Sequence, residues 1–168
     1  MTESRRPPDN PRGQKIFAVV FIIFFVGCSI GVTIFGFRMV ANVKSEAVVS
    51  DSAIRSVGWS LITMAGEVGA FPTEEATLEF FEAPFELPSV LQGVDLPTNL
   101  DEAMAGLKPM PISEALGILD ITWPPDGSLA PVMATQGLPS GKTTLLEINE
   151  WMLQASRALA NESGISGG

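Results

Sequence analysis

Residues 16–37 are twenty-two consecutive side chains without a charge, bounded by Lys15 and Arg38. No other feature of the chain limits its fold so sharply. As an α-helix rising about 1.5 Å per residue, the run reaches about 30 Å, the thickness of a bilayer's hydrocarbon core. A secretory signal has a shorter apolar region, about 7–15 residues, closed by small residues at a cleavage site. Ala41 and Val43 imitate such a site poorly. The run is therefore expected to be one retained transmembrane helix, with the lipid bilayer as its surroundings.

Its direction follows from flanking charge. Arg5, Arg6, Arg12 and Lys15 precede the run, and Arg38 and Lys44 follow it. The positive-inside rule then keeps the N-terminus in the cytoplasm and sends the rest across the inner (cell) membrane, to the periplasm or the exterior. The leader, residues 1–15, carries three prolines and mixed charges and is expected to be disordered. Within the run, Gly27 and Gly31 form a small-xxx-small pattern that lets another helix approach, with Ser29 and Thr33 able to hydrogen-bond across the contact. Gly27, Gly31 and Ser29 are the transmembrane contact candidates. Cys28, the single cysteine, is expected to be a small apolar residue buried at such an interface.

Residues 38–50 are expected to be a stalk or helix extension, 51–160 one acidic domain, and 161–168 a flexible tail. From Ser45 onward there are four basic residues and seventeen acidic ones, a net charge of −13. Phosphate backbones repel such a surface, which argues against nucleic-acid partners. The fold class expected is α+β: an amphipathic helix, a short antiparallel hairpin or sheet, and a C-terminal helix. In residues 51–68, Ile54, Val57, Leu61, Met64, Ala65 and Val68 recur at helical spacing, with Ser50 or Asp51 to cap the start and Gly69 to end it. Residues 73–81 predict a short helix capped by Thr73. Residues 83–96, broken by Pro84 and Pro88, predict a loop, and 99–107 a third helix with Thr98 and Asp101 as a capping pair. Two apolar runs, 116–123 and 128–135, flank the turn residues Pro124, Pro125, Asp126 and Gly127 and predict a hairpin. Residues 143–160 place Leu145, Ile148, Met152, Ala155 and Leu159 on one stripe of a closing helix, although 143–148 also read as a third strand.

Few residues invite chemistry. The sequence contains no histidine, which removes the commonest general base and metal ligand. Residues 137–144 read GLPSGKTT and resemble a P-loop, but only three residues separate Gly137 from Gly141, and Pro139 lacks an N–H donor. A loop without nucleotide is expected. Glu75, Glu79, Glu82 and Glu86 have the spacing of one helix face, yet lack the tight glycine turn of a Ca²⁺ loop and are read as solvated. No spacing singles out a carboxylate pair for hydrolysis. No catalytic residue, metal or cofactor is therefore expected. Trp59, Trp123 and Trp151 are expected to anchor core or interface. Trp59 lies off its helix's apolar stripe and is the candidate partner contact.

Residues 54–61, IRSVGWSL, followed by Gly69, Ala70, Phe71 and Pro72 resemble a recurring piece of type IV pilin-like proteins and pseudopilins. In that family an apolar N-terminal helix runs into an amphipathic helix closed by Gly-x-[Phe/Tyr]-Pro, and an antiparallel sheet follows. The resemblance covers about residues 16–73. It implies a component of a secretion or surface-filament system. The family's prepilin-peptidase site is missing, and Ala18 stands where a glutamate would follow Gly13. The expected role is a non-catalytic structural or interaction subunit, with a protein partner met through the membrane helix or the acidic domain. A degenerate pilin-like component is the alternative, and an acidic-residue hydrolase a third.

Overall fold

The structure is a computed structural model that describes residues 11–135 and 142–165. Its element order is α1 (Pro11–Val68), α2 (Glu75–Glu79), a 3-10 turn (Ser89–Leu91), α3 (Leu100–Met104), α4 (Ile112–Leu116), β1 (Leu119–Thr122), β2 (Val132–Thr135) and α5 (Lys142–Ile165). The class is α+β. Compact contacts divide the chain into Met1–Asn42 and Val43–Gly168. The division falls inside the expected stalk.

The described part of the first unit, residues 11–42, is helix. Its large apolar side chains are exposed throughout: Phe17 at 73%, Phe24 at 70% and Phe37 at 74%. Phe17, Phe21 and Phe25, four residues apart, stack in a ridge with ring centroids 6.5 and 6.4 Å apart. Among the described residues, one helix is long and apolar enough to cross a membrane, and its most apolar eighteen-residue window has nothing buried. Residues 11–15 of the expected leader are already helical; 1–10 lie outside the described residues.

The second unit is built around the end of α1, and here the amphipathic expectation needs correction. Residues 52–65 are buried on every side. Ile54, Val57, Leu61 and Ala65 occupy one face, but Trp59, Ile62 and Ala53 are equally enclosed. Among the remaining positions, Ser52, Ser56, Gly58, Ser60 and Thr63 look like a solvated face in sequence. They are small, so neighbouring segments come close, and their hydroxyls are satisfied at short range. Ser60 donates to the Ser56 carbonyl at 3.0 Å and Thr63 to the Trp59 carbonyl at 2.8 Å. Ser52 donates to the Lys108 carbonyl, and the Met110 N–H donates to Ser56 Oγ at 2.9 Å. A buried hydroxyl without such a partner would be costly. Serine thus serves as a close-packing residue that also pins the segment after α3. No Ser50 or Asp51 cap exists, because α1 passes through both. Gly69, at φ +83°, ends the helix with its N–H bonded to the Ala65 carbonyl at 2.8 Å, a conformation that favours glycine.

The later elements wrap this helix. Glu74, not Thr73, occupies the N-cap position of α2. The cap of α3 is also shifted by one from the expected Thr98 and Asp101. The Asn99 side chain accepts from the Glu102 N–H at 3.0 Å, and Glu102 accepts from the Thr98 N–H at 2.8 Å. Leu116 is the last residue of α4 rather than part of a strand. The hairpin is antiparallel as expected but short, four residues a side, pairing Leu119 with Thr135 and Thr122 with Val132. Its connection is tied down where the Phe71 N–H donates to the Gly127 carbonyl at 2.9 Å. Residues 143–148 are helix, not strand, and α5 continues to Ile165, past the expected start of a tail at 161. Ile148, Trp151, Met152 and Ala155 carry its buried stripe; Leu145 and Leu159 are half-buried.

Candidate functional site

The polar centre of the second unit is Arg55, a feature that sequence periodicity passes over. It is 7% exposed. Nη1 donates to the Ala103 carbonyl and Nη2 to Glu147 Oε2, both at 2.7 Å. The guanidinium lies 5.6 Å from the Trp151 ring centroid, within cation–π range. One side chain thus joins α1, α3 and α5. Its signal in the sequence is isolation: no other basic residue lies between Lys44 and Lys108. Buried, and with both Nη atoms engaged by the fold, Arg55 reads as a structural clasp.

The residues singled out by sequence fall in three places. Gly27, Ser29 and Gly31 lie on the exposed apolar stretch of α1, and nothing lies within 4 Å of a Cβ built at either glycine. Close approach of another helix is sterically open there. Thr33 turns its hydroxyl to the Ser29 carbonyl of its own helix at 2.8 Å. Cys28 is exposed on this stretch. Trp59 is corrected from partner contact to core. It is 0% exposed, and its indole N–H donates to the Pro84 carbonyl at 2.8 Å. Its position off the stripe does not mean exposure, because residues 52–65 of α1 are enclosed all round.

The four glutamates are solvated, as expected, but they do not share one helix face. Helix α2 stops at Glu79, so Glu82 and Glu86 do not continue its face. All four carboxylates are exposed. Among the described residues, no group of three or more metal-ligating side chains comes together. Gly137 to Gly141 of the P-loop-like string lie outside the described residues.

Among the described residues, two exposed carboxylates are perturbed, both downward. The Thr98 N–H, then its hydroxyl, holds Glu102 below the usual carboxylate value. The Ser128 hydroxyl, then its N–H, does the same for Asp126. A general acid needs the opposite shift. These two groups cap a helix and close a turn.

Compared with models of protein families, with curated proteins and with solved structures, the chain finds no match in any of the three.

Proposed function

We propose that the chain is a single-pass, membrane-anchored structural or interaction subunit that works by contact and not by catalysis. The N-terminus lies in the cytoplasm, and the acidic domain lies beyond the inner membrane. The observation that carries the reading is the uncovered apolar surface of residues 16–37, where Phe17, Ile23, Phe24, Phe35 and Phe37 are each at least two-thirds exposed. A large apolar side chain left in water forfeits about 1.5–3 kcal/mol relative to a covered one. So long a stretch therefore needs an apolar cover, and a bilayer supplies one. The basic leader supports the orientation. The contact role is supported by the lack of histidine and by the engagement of the buried Arg55, Ser52, Ser56, Ser60 and Thr63 in holding the fold. Alkaline carbonate extraction tests the anchor. The chain is expected to stay with the membrane pellet, and its release into the supernatant would overturn the reading.

A pilin-like component is the second reading, and one local observation favours it. Gly69 turns the chain off the end of α1, and Phe71, two residues on, is 3% exposed and bonded to the hairpin connection. The Gly-x-Phe-Pro string thus ties the end of α1 to the connection between β1 and β2, although α2, the 3-10 turn, α3 and α4 lie between them in sequence. The mass of the mature chain separates the readings. An intact leader supports the plain anchor, and a leader removed just before the apolar run supports the pilin-like component.

A further inference from the structure

The segment between α2 and α3 presents two phenylalanines to solvent, Phe80 at 83% and Phe85 at 55% exposure. Their backbone is held firmly. Phe81 packs against the core, and its N–H donates to the Leu78 carbonyl at 3.1 Å. The Pro84 carbonyl receives the buried Trp59 indole N–H. The Phe85 carbonyl accepts from the Leu100 N–H at 2.8 Å, and the Leu87 N–H donates to the Thr98 carbonyl at 2.9 Å. Glu86 bridges to Asn99 between these two bonds. The two rings therefore stand on fixed backbone, which lowers the ordering cost of any contact they make. Phe85 also forms one wall of a cleft of about 460 Å³, with Leu87, Val94 and Leu96 as its other apolar residues. Aromatic side chains presented in this way are the usual anchors of protein contacts.

The charge around them selects the occupant. Between Arg55 and Lys108 the sequence holds nine acidic residues and no basic one. Glu79 and Glu82 flank Phe80, Glu86 follows Phe85, and all three are exposed. None has a basic partner among the described residues. An acidic partner is repelled, and a purely apolar one strips water from carboxylates without replacing it. A cationic side chain meets both demands, because the face of a phenyl ring attracts cations and the carboxylates add to that field.

We infer that Phe80, Phe85 and the cleft beside Phe85 form a docking surface for a basic, arginine- or lysine-bearing segment of a partner protein. The phenyl faces take the cationic side chains, and the surrounding carboxylates set the sign of charge that is admitted. This deepens the interaction-subunit reading and rests on it. Carbonate extraction tests the anchor separately, so either can fail alone.

The test uses the full chain in a nonionic detergent and, as probe, a labelled eight-residue peptide alternating glycine and arginine, followed by fluorescence anisotropy. Saturable binding that weakens with salt is expected, with none for the matching glycine–glutamate peptide. Phe80→Ala with Phe85→Ala is expected to weaken binding about tenfold, the loss of two exposed cation–π contacts. Phe80→Leu with Phe85→Leu keeps apolar bulk without the ring face, guards against a folding defect, and is expected to weaken binding similarly. Leu129→Ala with Leu153→Ala, at exposed apolar positions elsewhere, is expected to change nothing. Absence of binding, unchanged binding by both phenylalanine double variants, or equal binding of the acidic peptide would each overturn the proposal.

Discussion

Gly58 is where the packing of α1 against α5 is most sharply testable. A Cβ added there would lie well inside contact distance of Ile148 Cγ2, and 3.6 Å from Ile148 Cβ and Cδ1. Ile148 is 0% exposed, and its Cγ2 sits on a β-branched carbon with few rotamers to choose from. The neighbour therefore has little room to yield. Overpacking of this kind costs about 1–3 kcal/mol. Replacing glycine by alanine inside a helix returns about 0.8–1 kcal/mol. Gly58→Ala is thus expected to destabilise the domain by about 1–2 kcal/mol, near the upper part of the overpacking range less the helix term. In an Ile148→Ala background, itself lower by about 2–5 kcal/mol, the obstructing methyl is gone. There Gly58→Ala is expected to stabilise by about 1 kcal/mol. The sign of one substitution should reverse with its neighbour, a coupling of about 2–3 kcal/mol. Urea unfolding of the full chain in nonionic detergent, followed by tryptophan fluorescence, measures all four corners of the cycle. Equal destabilisation by Gly58→Ala in both backgrounds would refute the argument.

Arg55→Ala removes a clasp on three elements and leaves the Ala103 carbonyl without its donor; a loss of about 2–4 kcal/mol is expected by the same unfolding assay. Glu147→Ala is expected to cost less, since the Glu147 side chain is 43% exposed and hydrated. Ala105 holds φ +49° and ψ +41° at the end of α3, a left-handed conformation that costs a non-glycine residue about 1–2 kcal/mol. Ala105→Gly is therefore expected to raise stability slightly, against the usual trend for that exchange. The Glu102 pKa is lowered on folding, so its contribution is present above the unfolded value of 4.5 and is lost as pH falls through the lower folded value. In an NMR titration its midpoint should lie below 4.5, and Thr98→Ala should move it part of the way back by removing the hydroxyl while keeping the N–H.

What could be read from the sequence depended on whether burial had one side. The α5 residues Ile148, Met152 and Ala155 fall on one buried stripe, so period alone placed them. Residues 52–65 of α1 have no solvated side, and their serines and Gly58 bury without looking apolar, so helical period alone points Trp59 outward. The apolar run at 116–123 divides between α4 and β1, and periodicity cannot part a short helix from a short strand. Thr98 with Asp101 and Asn99 with Glu102 are overlapping cap patterns one residue apart. The extended backbone of Asn99, φ −152° and ψ 169°, decides between them. Exposure of Phe80 and Phe85 is set by which neighbours, Phe81 and Pro84, are anchored inward. That is a property of tertiary contacts and not of residue type.

The anchor and its direction can be read together with a membrane-impermeant maleimide, because Cys28 is the only cysteine and lies within residues 16–37. In spheroplasts of an expressing bacterium, Cys28 is expected to stay unlabelled until detergent is added. A Glu75→Cys variant, at an exposed position of the acidic domain, is expected to label at once in intact cells. Labelling of Cys28 before detergent, or of the Glu75→Cys variant only after lysis, would contradict the account.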